Sequence, residues 1–187
     1  MTERQRFREA DWLELGFRQL VDFGAAGLTV ERLCEAAGRT RGSFYHHFRD
    51  HDAFVRNLME RWKKRHTDDV IAQVERRAER TGDANARPQS LHELAVHLDH
   101  RLDLAVRLFA QTHPVAAIYL KRVDTERLDY LKRLYRETTT LPSTLADEVA
   151  WLEYAAFVGA QVLQPDARTD APNTKNFFFR AAHRLAE

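Results

Sequence analysis

The chain has 187 residues, 44% hydrophobic and 30% charged, with a formal net charge of +1. Such values suit a globular protein with a sizeable core and exclude a disordered or low-complexity chain. No apolar run approaches the length of a membrane span, and the charged N-terminal stretch lacks the apolar centre of a secretory leader, so a cytoplasmic protein without a membrane partner is expected. A single cysteine allows no intramolecular disulfide and fits a reducing compartment.

Seven glycines and five prolines leave room for long helices, and the periodicity points to an all-α fold. Over residues 6–23, Phe7, Ala10, Leu13, Phe17, Leu20 and Val21 fall on one helical stripe that Gly24 ends. Thr29 is a good N-cap for a two-turn helix with Val30, Leu33, Cys34 and Ala37 on one face. Gly38 suits its C-terminus, where the chain needs a left-handed residue. Thr40 then caps a second helix in which Phe44, His47 and Phe48 point inward, leaving Arg41, Ser43, Tyr45 and His46 outward or near its start. Two short helices joined by a glycine turn describe a helix-turn-helix, whose second helix enters the DNA major groove.

Asp50 caps a long helix expected to reach about Arg80, with Phe54, Leu58, Trp62, His66, Val70 and Val74 recurring every four residues. Such a stripe drifts slowly round a helix of 3.6 residues per turn. Thr81 to Gln89 reads as a loop. A helix from Ser90 to about Thr112 follows, with Leu91, Leu94, Ala95, Leu98, Leu102, Ala105 and Phe109 inside, and Pro114 opens the next, to about Glu137. Residues 146–163 form the least charged long segment. Asn173 or Thr174 caps a last helix, 173–186, with Phe177, Phe178, Phe179 and Leu185. Closing helices that are apolar on more than one side suggest a four-helix dimer interface.

The charge is unevenly placed. Residues 38–66 hold eight Lys or Arg against three Asp or Glu, with four histidines besides, on a nearly neutral chain. A basic patch centred on the second helix of a helix-turn-helix is the electrostatic footprint of a DNA reader.

These residues also carry a resemblance. Gly24 followed five residues later by Thr29-Val30, the run from Leu33 to Gly38, and the close Gly42-Ser43-Phe44-Tyr45-His46-His47-Phe48 closely resemble the DNA-binding domain of TetR-family transcriptional repressors, over roughly residues 6–62. Arg39 departs from the pattern, which has a small apolar residue after the glycine; Thr40 keeps the capping hydroxyl where serine is common. Cys34 stands where alanine is usual, as a small buried residue. The resemblance implies a three-helix DNA-binding domain at 1–49 and a larger helical ligand-binding and dimerisation domain at 50–187.

For the DNA, Arg41 can pair bidentately with guanine, and Thr40 or Ser43 can touch a thymine methyl or a base edge. Thr29, Arg32, Tyr45, His46 and His51 are placed for phosphates, and Arg39 can swing to one; the family's usual backbone contacts match Tyr45 and His51. One such module makes few contacts, so a homodimer through 146–163 and 173–186 reading a palindromic double-stranded operator is expected. The resemblance further implies an unidentified small-molecule effector in the second domain, and bulky groups on its central helices, His97, Phe109, Tyr119, Trp151 and Tyr154, are candidate contacts.

His92, His97 and His100, with the neighbouring Asp99 and Asp103, raise the question of a metal, since His97 and His100 have a helical ligand spacing, but His92 turns away and no metal or cofactor is assigned. No nucleophile elbow, phosphate loop or zinc-protease motif is present, and no catalytic residue is assigned. The expected function is a regulator, a repressor released by its effector. The alternatives are a cytosolic helical metal- or small-molecule-binding enzyme with a helix-turn-helix, and a non-switching architectural DNA binder.

Overall fold

The computed structural model describes residues 7–163 and residue 184, and the described residues are helical with no strand among them. They divide into two compact units: one takes in the chain to Trp62 together with Ala105–Leu120, the other Lys63–Leu104 and the chain from Lys121 on.

In the first unit, helix α1 (Glu9–Phe23) leads through a 3-10 turn (Gly24–Leu28) into α2 (Val30–Ala37) and α3 (Arg41–His47). Each short helix is capped by the threonine before it: the Thr29 hydroxyl accepts from the Arg32 amide at 3.3 Å, the Thr40 hydroxyl from the Ser43 amide at 3.3 Å. Gly38, with φ +58°, ends α2 in the left-handed conformation, its amide donating back to the Cys34 and Glu35 carbonyls. Helix α4 (His51–Lys63) is capped by Asp50, whose carboxylate accepts from the Ala53 amide at 2.7 Å. That amide, with the Arg49 guanidinium, holds the carboxyl below the usual range.

The core of this unit is aromatic. Phe44 is fully buried, with ring centroids 5.4 Å from Trp12, 5.1 Å from Phe48 and 5.4 Å from Phe54. It thereby joins α3 to α1 and α4, in the tilted and edge-on geometries that ring quadrupoles favour. Gly16 permits the close approach of α1 to α4, because a Cβ there would lie 2.7 Å from the Phe54 ring. Cys34 is buried beneath the turn, and burial pushes its thiol pKa up.

The helix expected over 50–80 is helical throughout 51–81 but is not one regular α-helix. A π turn at Lys64–Asp68 separates α4 from α5 (Asp69–Thr81), and the Asp69 amide closes it on the Lys64 carbonyl. The physical reason lies in the four-residue repeat, which runs about 40° ahead of the α-helical period at every step. A turn closed by i→i+5 bonds absorbs the surplus. Phe54, Leu58, Trp62, His66, Val70 and Val74 are all buried as a result.

In the second unit, two further boundaries differ from expectation. The loop over 81–89 is short: a 3-10 turn (Ala84–Ala86) runs into α6 (Arg87–Val96), with Pro88 in its first turn, where its missing N–H costs nothing. The helix expected over 90–112 breaks at residues 97–99. There the Asp99 carboxylate accepts from the Arg101 and Leu102 amides, at 3.1 and 3.3 Å, and starts α7 (His100–Ala110). His97 and His100 therefore do not share a helix, which removes the helical ligand spacing. Helices α8 (Pro114–Thr138) and α9 (Ser143–Leu163) fall where the prolines and the apolar pattern put them. Val74 packs with Tyr130 and Leu134, and Leu131 and Tyr135 pack with Leu141, Ala146, Val149 and Ala150. The final helix expected over 173–186 lies outside the described residues, Arg184 apart.

Candidate nucleic-acid interface and effector cavity

The first unit presents the polar side of α3. Thr40, Arg41, Tyr45 and His46 are exposed, Ser43 is half-buried, and Thr29 and Arg32 stand exposed at the start of α2. Arg41 forms an ion pair with Glu31 of α2, both groups remaining largely in solvent. Such a pair is weak and easily exchanged, so the guanidinium can be surrendered to a base or phosphate at small cost.

Three residues near this surface are engaged with the protein. The Arg39 guanidinium lies 5.7 Å from the centre of the Phe7 ring, so the side chain that replaces a small apolar residue packs as a cation over an aromatic face. His51 contacts the Leu28 carbonyl at 2.8 Å, and His47 the Phe7 carbonyl at 3.1 Å. Because a carbonyl accepts only, each ring donates from Nε2. These bonds tie the start of α4 to the chain before α2, and the end of α3 to the chain before α1.

The second unit contains a cavity. Val70, Ile71, Leu91, Leu131 and Phe157 give it an apolar wall, and its polar groups include His66, His92, Arg127, Glu153 and Tyr154. Of the bulky residues singled out from the sequence, Tyr154 stands in this wall. His97 is exposed at the break before α7, Trp151 is 57% exposed on α9, and Phe109 is buried in the first unit, to which half-buried Tyr119 also belongs.

One side of the cavity is a charge network. Asp103, 1% exposed, accepts from Arg127 Nη1 at 3.0 Å, from Gln161 Nε2 at 3.2 Å, and from His66 Nδ1 at 3.0 Å. Burial alone would raise its pKa, but the Arg127 charge and the His66 hydrogen bond hold it well below the usual carboxylate range. Arg127 has every nitrogen occupied, with Nε on Thr67 Oγ1 and Nη2 on the His66 carbonyl, both at 3.0 Å. The second of these satisfies a carbonyl inside the π turn. Glu153 is different: it accepts from the Tyr135 hydroxyl, and burial pushes its carboxyl up, the hydroxyl offsetting part of that.

Sequence reasoning missed Arg127 and Glu153, and weighed Asp103 only as a neighbour of the histidines in the question of a metal. The available signal was a charged residue inside an apolar helical stripe: Asp103 follows Leu102 and precedes Val106, and Arg127 sits between Val123 and Leu131. Residues 13–58 match the family of bacterial regulatory proteins called the tetR family. No curated protein matches the chain.

Proposed function

We propose, for a chain that belongs to the TetR family through its residues 13–58, that this DNA-binding transcription regulator represses its target as a homodimer on a palindromic operator and is released by a small molecule held in the cavity of its second unit. The observation that carries the reading is the exposed row Thr40, Arg41, Tyr45 and His46 on a helix capped and packed as the second helix of a helix-turn-helix. Arg41 and Thr40 read bases, with Ser43 at the groove edge, while Thr29, Arg32, Tyr45 and His46 hold phosphates. Arg39 and His51 contribute by exchanging their present partners for the DNA backbone.

The dimer reading is supported by α9, where Trp151, Leu152, Val162 and Leu163 are between 48% and 82% exposed. An apolar helix face of that kind needs a cover in water. The cavity supports an effector with a large apolar body and a hydrogen-bonding end for Glu153, since the Arg127 nitrogens and the Tyr154 hydroxyl already have protein partners. Release requires that the effector bind the DNA-free form more tightly than the bound one.

The test is selection of bound sequences from a random duplex pool, followed by titration of the enriched site at two salt concentrations. A palindrome with half-sites about one helical turn apart, or a multiple of it, supports the dimeric reader. Weak, steeply salt-dependent binding without enrichment would mean contact through the basic patch alone.

A further inference from the structure

We infer that the first unit holds a divalent transition-metal site formed by His51, Asp52 and His113, apart from the effector cavity and sharing His51 with the proposed DNA-backbone contacts. One ring nitrogen of each histidine and a carboxylate oxygen of Asp52 lie within 4.8 Å of one another. Two of these residues open α4, and the third directly precedes Pro114 at the start of α8, so the site joins elements more than 60 positions apart in the chain.

The surroundings are those of a ligand set. The Leu28 carbonyl accepts a hydrogen bond from His51 Nε2 at 2.8 Å, leaving Nδ1 as the nitrogen that can face an ion; a backbone carbonyl on the far nitrogen is the usual support of a ligating histidine. His113 is held by the Phe109 ring, 4.9 Å between centroids, and its Nδ1 is buried with no hydrogen-bond partner. Its Nε2 stands 3.6 Å from the Asp52 carboxylate, too far for a hydrogen bond and close enough for a shared ion. Asp52 is 60% exposed on its side chain, so it can turn inward and the site keeps an open face for water.

Donors bound to one tetrahedral ion at 2.0–2.2 Å lie about 3.4 Å apart, so rotation of the Asp52 and His113 side chains closes the remaining gap of about 1 Å. The helix dipole at the start of α4 opposes a cation only weakly. The Asp52 charge and two imidazoles outweigh that. Two nitrogens and one carboxylate select zinc, cobalt or nickel over magnesium and calcium, which take oxygen ligands. The consequence is regulatory: the ion clips the first turn of α4 to the turn before α8, and through His51 to the residue preceding the α2 cap.

The experiment uses the untagged full chain, stripped with chelator, titrated calorimetrically with zinc and followed by cobalt absorption in the visible. The expected result is one ion per chain, with tetrahedral-type cobalt bands. Asp52→Asn and His113→Ala should each weaken zinc by about tenfold or more, while His97→Ala leaves it unchanged. Equal affinity in wild type, Asp52→Asn and His113→Ala, or no saturable binding to wild type, overturns the site; equal displacement of zinc by magnesium does so too. Should His113→Ala fail to fold, Asp52→Asn decides alone, because its exposed side chain supports no core contact. The result is independent of operator binding, so failure of the metal site leaves the repressor reading standing.

Discussion

The two units solve the problem of a helical core in different ways. In the first, Trp12, Phe44, Phe48 and Phe54 are buried against one another, and α2, α3 and α4 each start on a residue that accepts from the amide three positions on. In the second, the interior contains Asp103, Arg127, His66 and Gln161, paired across 24 to 61 positions of chain. A shape built from rings and local caps is rigid and self-contained, as a surface that must match a DNA groove requires. A buried charge network has few alternative arrangements and is costly when one member is lost.

Removing Asp103 should break the second unit most severely. Asp103→Ala leaves Arg127 buried without its counter-charge and should cost about 3–5 kcal/mol in urea denaturation followed by circular dichroism. Replacing both partners by apolar residues, Asp103→Leu with Arg127→Met, should recover most of that loss. Full recovery with effector response intact would show that the network serves neither stability nor sensing.

The same carboxylate dictates an acid response. Its folded pKa is depressed below the ordinary aspartate value of 3.8, so the native state binds fewer protons than the unfolded one in that range. The stabilisation is complete above about pH 5 and is lost as pH falls through 3.8 and below. Asp103→Asn should flatten that acid limb. Trp12 and Trp62 are fully buried in the first unit, so tryptophan emission and far-ultraviolet circular dichroism should separate if the units unfold in sequence.

In the first unit the expected effects are smaller and steric. Gly16→Ala forces a Cβ toward the Phe54 ring and should cost about 1–3 kcal/mol, read as a fall in the urea midpoint with unchanged slope. Thr40→Ala removes the α3 cap and should cost about 1 kcal/mol. Smallest of all, a double-mutant cycle on Glu31 and Arg41 should give a coupling below about 1 kcal/mol in the free protein, since both side chains are more than 60% exposed. Arg41→Ala should nevertheless lower affinity for the operator more than for random duplex.

The difference between the units also explains what the sequence could reveal. Thr29, Gly38, Thr40 and Asp50 announce helix ends through bonds to their own neighbours, so α2, α3 and the start of α4 were legible residue by residue. The break at Asp99 had the same kind of signal, a capping carboxylate, but the apolar pattern from Leu91 to Phe109 runs straight through it. The π turn was visible only as a repeat of four where 3.6 was due. Asp103 and Arg127 showed only as charges inside apolar stripes, and nothing local paired them, because each has the other as its partner, 24 residues away. The cavity wall suffered the same fate: Tyr154 is bulky and mid-helix, yet so is Phe109, which packs in the other unit. The charge segregation over residues 38–66 pointed to one surface but not to the present partner of each side chain, since Arg39 lies over Phe7 and Arg41 pairs with Glu31.

The sole thiol of the chain lies beneath the turn between α2 and α3, shielded and held protonated by its burial. A maleimide can reach it only when the helix-turn-helix opens, so its rate of labelling clocks the breathing of the DNA-reading unit. No dye or engineered probe is needed. Run with and without operator, and with and without zinc, the same reaction would time how tightly each partner holds the reading head shut.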